Sequence, residues 1–246
     1  MKNKKEIRKM KRTIAIIMAM VIMVFGITAC NGKNDQPKTT QGTQGSQGEA
    51  QNGQKATADK SASGSSLSEE LSSVIEKGEN LTGKHRVKIK VKDYGTITVK
   101  LDADKAPITV TNFIKLAGEG FYDGLTFHRI ISSFMIQGGD PLGNGTGGSD
   151  DTIKGEFSSN GVENDIKHVR GTISMARSAD PDSASSQFFI MHQDADYLDG
   201  EYAAFGKVTK GMKVVDKICA NVKTEDTNGT VLPENQPVIE KVTVVD

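Results

Sequence analysis

The chain has 246 residues, with 31 Lys and Arg matched by 31 Asp and Glu. The match is uneven: Lys2, Lys4, Lys5, Arg8, Lys9, Lys11 and Arg12 face only Glu6 near the start, which leaves the rest mildly acidic. A body without a basic stripe excludes nucleic acid as a partner, because phosphate binding needs Lys and Arg clustered on one face.

The basic start is followed by the apolar run Ile14 to Thr28 and then by Ala29 and Cys30, the order of a secretory signal over residues 1–30. At about 15 residues the run falls short of the roughly 20 that a spanning helix needs. Ile27-Thr28-Ala29-Cys30 resembles the lipobox of bacterial lipoprotein precursors, which implies cleavage before Cys30 and a diacylglyceryl group on its sulfur. At about 0.8 kcal/mol per buried CH₂, two or more acyl chains would hold the protein on a membrane. The expected location is the extracytoplasmic face of a bacterial cell membrane. Cys219 is the only other cysteine, so lipidation leaves no intramolecular disulfide.

Residues 31–66 contain no Val, Ile, Leu, Met, Phe, Tyr or Trp. Such a segment cannot bury enough surface to offset ordering entropy and is expected to be a disordered linker spanning roughly 30–35 Å. Over 67–83 a short amphipathic helix and a connector are expected. Ser66 and Glu69 have capping-box spacing, and Leu67, Leu71, Val74 and Ile75 recur at helical intervals before Gly78.

The main domain is expected over 84–246. Val87, Ile89 and Val91, then Ile97, Val99 and Leu101, alternate with polar residues around Asp93-Tyr94-Gly95, which predicts a hairpin with one buried face. Pro107 opens a helix carrying Val110, Phe113, Ile114 and Ala117 and closed by Gly118. Short apolar runs between Gly-rich turns follow, then a helical stretch from Met212 to Cys219 and a β-branched end from Val238 to Val245. The pattern predicts a mainly β fold, one closed or nearly closed barrel with its ends covered by two α-helices.

Familiar catalytic signals fail on inspection. Gly143 to Gly148 fits G-x-G-x-x-G, yet no helix pattern follows to receive a pyrophosphate. His85, His128, His168 and His192 lack zinc-site spacing, so no metal is expected. Ser183, Ser185 and Ser186 have no adjacent base. What remains is FHRIISSFMIQGGD (127–140), in which an arginine and an amide interrupt an apolar stretch although a buried unpaired guanidinium is too costly to be incidental.

FHRIISSFMIQGGD, NGTGG, GTISMAR, SSQFFI and YLDGEYAAFGKV, in this order, resemble the cyclophilin family of peptidyl-prolyl cis/trans isomerases over about residues 86–245. The resemblance implies an eight-stranded antiparallel barrel capped by two helices. It also implies that Arg129 and Gln137 are catalytic, with Arg129 donating to the amide nitrogen as an X-Pro bond twists and Gln137 orienting either the substrate carbonyl or Arg129. The proline ring would lie against Phe134, Met135, Phe189 and Leu198. Ala176 and Arg177 would pair with substrate backbone, and Gln187 would line the adjoining groove. Tyr197 stands where many eukaryotic members have Trp, Tyr202 where they have His, and Arg177 where Asn is common. Activity should survive these changes, whereas cyclosporin binding is weakened and substrate preference altered.

No cofactor is implied. The expected partners are proline-containing polypeptides and, through Cys30, a membrane, and the chain is expected to be a monomer. A proline-segment-binding surface chaperone or adhesin would use the same pocket without turnover. A hollow barrel for a small solute is a third reading, opposed by the many Phe, Ile and Met residues available to fill the interior.

Overall fold

The computed structural model describes residues 68–245. The expected signal segment, the lipidation site Cys30, the linker 31–66 and Ser66 lie outside the described residues.

Helix α1 (Glu69–Glu76) begins two residues later than the Ser66 cap implies, because Ser68 takes the extended cap conformation and its Oγ accepts the Leu71 N–H at 3.4 Å. With Glu69 and Glu70 in its first turn, α1 presents acid to its positive end. Leu71 is buried, and Val74 and Ile75 pack on the same core as the barrel. The connector is fixed by the Leu81 N–H, which donates to Thr111 Oγ1 at 2.8 Å.

Strands β1 (Lys84–Val91) and β2 (Gly95–Asp102) form the expected hairpin, with Val87, Ile89, Val91, Ile97, Val99 and Leu101 buried on one face. Helix α2 (Pro107–Gly118) buries Val110, Phe113, Ile114 and Ala117, and α3 (Met212–Asn221) buries Val214, Val215 and Ile218. The remaining strands are β3 (Thr126–Ile131), β4 (Met135–Asp140), β5 (Thr172–Met175), β6 (Phe188–Met191), β7 (Ala204–Lys210) and β8 (Ile239–Val244).

All eight strands of the described residues join one antiparallel sheet in the order β3-β4-β6-β5-β7-β2-β1-β8. The sheet curls into a half-barrel whose edges meet over a short junction instead of a full ladder. Thr126 bridges Val238, the Phe127 N–H donates to Pro237 O at 2.9 Å, and the Ile239 N–H to Leu125 O at 2.7 Å. The interior is filled by rings: Phe113 stacks on Tyr122 at 4.9 Å and meets Phe188 and Phe205 at 5.5 and 5.3 Å, and Phe127 meets Phe188 edge-on at 6.0 Å. That filling removes the hollow-barrel reading.

Two buried polar groups bear on stability, Glu156 and His128. Ala106, the residue before α2, offers no side-chain cap. Glu156 supplies one from a distance, its Oε1 accepting the Ile108 N–H at 3.0 Å and its Oε2 the Thr109 N–H and hydroxyl at 2.8 and 2.6 Å. Glu156→Ala would strand buried donors at the helix start and should cost about 2–4 kcal/mol, read as a lower urea midpoint at unchanged slope.

His128 is only 4% exposed, and among the described residues neither ring nitrogen has a hydrogen-bond partner. Burial pushes its pKa down from 6.5 to about 4, with Arg129 adding to the effect and Asp140 opposing it. Between those values the unfolded chain binds the proton more readily than the fold. Stability is therefore complete above the unfolded value and declines as pH falls toward the folded one, by up to about 3 kcal/mol. Urea midpoints measured across that range should show the decline in the parent and a shallower one in His128→Gln.

Candidate active site

The site begins with two bulges in the β3–β4 pair. Thr126 faces Asp140 but Phe127 faces Gly138, so Gly139 is the extra residue on β4; Phe127 and Arg129 then face Gly138 and Gln137, so His128 is the extra residue on β3. Gly139 has φ +82°, and a Cβ there would meet Ser186 O at 2.6 Å, which excludes other residues. At His128 the slip reverses the alternation of β3. Phe127 and Ile130 enter the core, whereas Arg129 and Ile131 lie on the outer face. The outer face of the barrel thus acquires a row across four strands, Arg129–Gln137–Phe189–Ser174, each residue the register partner of the next.

Arg129 is anchored on both sides. Its Nε donates to Asn228 O at 2.8 Å, and its Nη1 donates to Gln137 Oε1 at 3.1 Å. Gln137 Nε2 donates to Gln187 Oε1 at 2.9 Å, and Gln187 Nε2 donates to Gly147 O and Gly145 O at 2.7 and 3.1 Å. One chain of hydrogen bonds therefore runs from the 226–230 turn through three long side chains to the Gly-rich loop. That loop folds around Asp140, which accepts the Leu142 and Asn144 N–H groups at 2.8 and 3.1 Å. Burial raises the Asp140 pKa, but these backbone donors outweigh it and the net shift is downward. Burial also lowers the Arg129 pKa, opposed by Tyr202, Asp226 and Tyr197. A guanidinium starts high enough to stay protonated regardless.

Beside Arg129 lies an apolar cluster separate from the barrel core. Met135, Phe189, Met191, Ala195 and Leu198 are buried there, with Ile131, Phe134, Ala176 and Tyr202 packed against them. Phe134 stacks on Tyr197 at 6.1 Å, and Phe189 meets Tyr202 edge-on at 5.8 Å. Tyr197 is 45% exposed and stands at the rim. The Ala176 N–H is already committed to Gln187 O at 2.9 Å. The Arg177 side chain is folded back: Nε and Nη2 donate to Glu201 O at 3.1 and 2.9 Å, and the guanidinium covers the rings of Tyr202 and Phe157 at 4.8 and 5.0 Å.

All of the sequence-named residues of the described region therefore gather on one outer face, with Arg177 behind Tyr202. Sequence reasoning missed several supports. Asn228 offers only its carbonyl, 99 residues from Arg129, and the turn signal around it says nothing of that contact. His168 lies between Asp199 Oδ1 at 3.1 Å and Ser174 Oγ at 3.0 Å and stacks on Phe189 at 6.1 Å. This has the order of a hydrolytic triad, but His168 and Ser174 are fully enclosed, so the chain of bonds can only brace Phe189. Burial lowers the His168 pKa against the pull of Asp199. Among the described residues, no three His, Cys, Asp or Glu side chains come together as a metal site would require.

Comparison with known proteins agrees with this geometry. Residues 86–244 match the family described as cyclophilin type peptidyl-prolyl cis-trans isomerase/CLD. The chain is 49% identical over 126 residues to a peptidyl-prolyl cis-trans isomerase of Helicobacter pylori strain J99, covering 50% of this chain and 75% of the relative. It is 44% identical over 144 residues to peptidyl-prolyl cis-trans isomerase B of Bacillus subtilis, covering 58% and 92%. Among solved structures, a Cryptosporidium parvum cyclophilin type isomerase superposes with TM-score 0.59 at 29% identity, covering 67% of this chain and 99% of that one. The same protein crystallised in the presence of the dipeptide Ala-Pro gives TM-score 0.58 at 30% identity, covering 65% and 99%. With well over half its length matched, the chain belongs to the cyclophilin family.

Proposed function

We propose that this protein is a peptidyl-prolyl cis/trans isomerase acting on X-Pro bonds of exported or cell-surface proteins, and that lipid on Cys30 keeps it on the outer face of a bacterial membrane. The observation that carries the enzymatic part is the Arg129–Gln137–Phe189 row with an apolar slot beside it.

The uncatalysed barrier, about 18–20 kcal/mol, comes from the lone pair that the amide nitrogen shares with the carbonyl. Rotation takes the nitrogen out of plane, and its lone pair then accepts a hydrogen bond that the planar amide cannot. The remaining Arg129 hydrogens supply that bond: Nη2 donates to none of the described residues, and Nη1 has one hydrogen beyond the bond to Gln137. Because Asn228 and Gln137 fix the fork before substrate arrives, little reorganisation is needed as the bond twists. The proline ring seats against Phe134, Met135, Phe189 and Leu198, so one side of the bond is held while the other turns. No nucleophile or cofactor enters the scheme. The Ala-Pro dipeptide present with the Cryptosporidium parvum relative supports proline-containing peptides as the substrate class, and the basic, apolar, lipobox order of residues 1–30 supports export and anchoring.

Arg129→Ala should fold, judged by circular dichroism, while catalysed isomerisation of an X-Pro peptide falls tenfold or more. Unaltered turnover refutes the assigned role, and an inactive parent that still binds proline peptides would favour a binding protein. Intact mass of the membrane-extracted protein should fit a chain starting at Cys30 with added acyl groups. A mass that retains Met1 to Ala29 refutes the anchoring.

A further inference from the structure

The turn between β3 and β4 carries Phe134, and its backbone is held in a shape it would not adopt alone. Ser133 has φ +64°, a left-handed conformation that disfavours any residue with a Cβ. The Phe134 N–H closes the turn on Ile131 O at 3.0 Å, the Ser133 N–H donates to Nδ1 of His192 at 2.8 Å, and the His192 N–H donates to Phe134 O at 2.8 Å. The imidazole is fixed from its other side as well. Its Nε2 lies 3.1 Å from Asp216 Oδ1 on α3, and Arg170 ties that carboxylate to His192 O with two bonds of 2.7 Å. A backbone N–H can only donate, so Nδ1 carries the lone pair and Nε2 the proton that faces Asp216.

We infer that His192 is a positioning residue for substrate binding, its unprotonated Nδ1 clasping the Ser133 amide and so holding the Phe134 ring in the wall of the proline slot. The inference rests on the isomerase reading of that slot. The charged groups bonded to His192 are Asp216 on α3, through the ring, and Arg170 before β5, through the His192 carbonyl. Neither can replace the acceptor at Nδ1, because neither is bonded to Ser133. A side chain without an acceptor at that place leaves the Ser133 N–H unbonded, and the clasp opens. Phe134 touches the proline ring before and during rotation alike, so the loss belongs in KM and not in kcat.

The test measures kcat and KM with an Ala-Pro peptide for the parent, His192→Leu and His192→Asn at one neutral pH, together with the backbone amide resonance of Ser133. His192→Leu should raise KM roughly three- to tenfold with kcat within about twofold and move the Ser133 amide upfield. Asn places an oxygen where Nδ1 stood, so His192→Asn should keep the parent KM and the parent Ser133 resonance. A loss confined to kcat, or a His192→Asn variant as impaired in KM as His192→Leu, overturns the inference. If His192→Leu does not fold, His192→Asn decides alone: a parent-like KM supports the clasp and a raised one overturns it. An inactive parent refutes the isomerase reading instead, and a Ser133 resonance unchanged in His192→Leu then overturns the clasp on its own.

Discussion

A single residue of slip in β3 is the constraint on which the rest depends. In a regular strand Arg129 would share the side of Phe127 and enter the ring cluster of Phe113, Phe188 and Phe205. An unpaired ion there would cost several kcal/mol. The bulge at His128 turns the guanidinium outward and lets Ile130 continue the core. The cost is carried by His128, which ends up buried with both ring nitrogens unpaired in the described structure. A neutral imidazole is far cheaper to bury than a guanidinium, so the arrangement trades a large penalty for a moderate one. Fold and site therefore require the same irregularity.

Once turned outward, the arginine is held by groups from distant parts of the chain that meet only because the sheet has curled. Asn228 comes from the segment before β8, Gln137 from β4 and Gln187 from the edge of β6. Each long side chain bonds at both ends, so few rotamers remain for any of them. Paired strands supply Arg129 and Gln137, and the 226–230 turn and the Gly-rich loop supply carbonyls that hold the chain of bonds at its two ends. Such a site is stiff before substrate binds, which suits a reaction in which no bond is made or broken and one amide twists out of conjugation.

Regular elements were legible because period betrays them. The β1–β2 hairpin alternates strictly, and α2 repeats Val110, Phe113, Ile114 and Ala117 with Pro107 at its start. The bulge was not legible: the letters F-H-R-I-I fit a strand in either register, and only the partner strand shows which residue is extra. The Ser66 cap illustrates a smaller ambiguity, since serines two apart offer the same hydroxyl and the helix begins wherever one of them reaches a free N–H. The site residues could be named from blocks of sequence because their types are demanding, a permanent cation beside large apolar groups. Their supports could not, because Asn228 acts through its carbonyl and His192 through a lone pair that reaches Ser133 across 59 residues.

Arg177 and Tyr202 show how a substitution can be understood only as a pair. An arginine beside a peptide groove would ordinarily bring a charge to it. Here the guanidinium lies flat on the Tyr202 ring, its side chain 14% exposed, and its donors are spent on the carbonyls of Glu201 and Ser178, with Glu201 Oε2 3.9 Å away. What reaches the slot is therefore the edge of Tyr202 against Phe189, held in place from behind by the cation. A short amide at 177 would leave that ring uncovered and the Glu201 carbonyl without its two donors. A smaller ring at 202 would leave the guanidinium less of a face to cover beside the one that Phe157 offers. The two side chains support each other, so the pair shapes the outline of the slot while leaving the guanidinium of Arg129 alone.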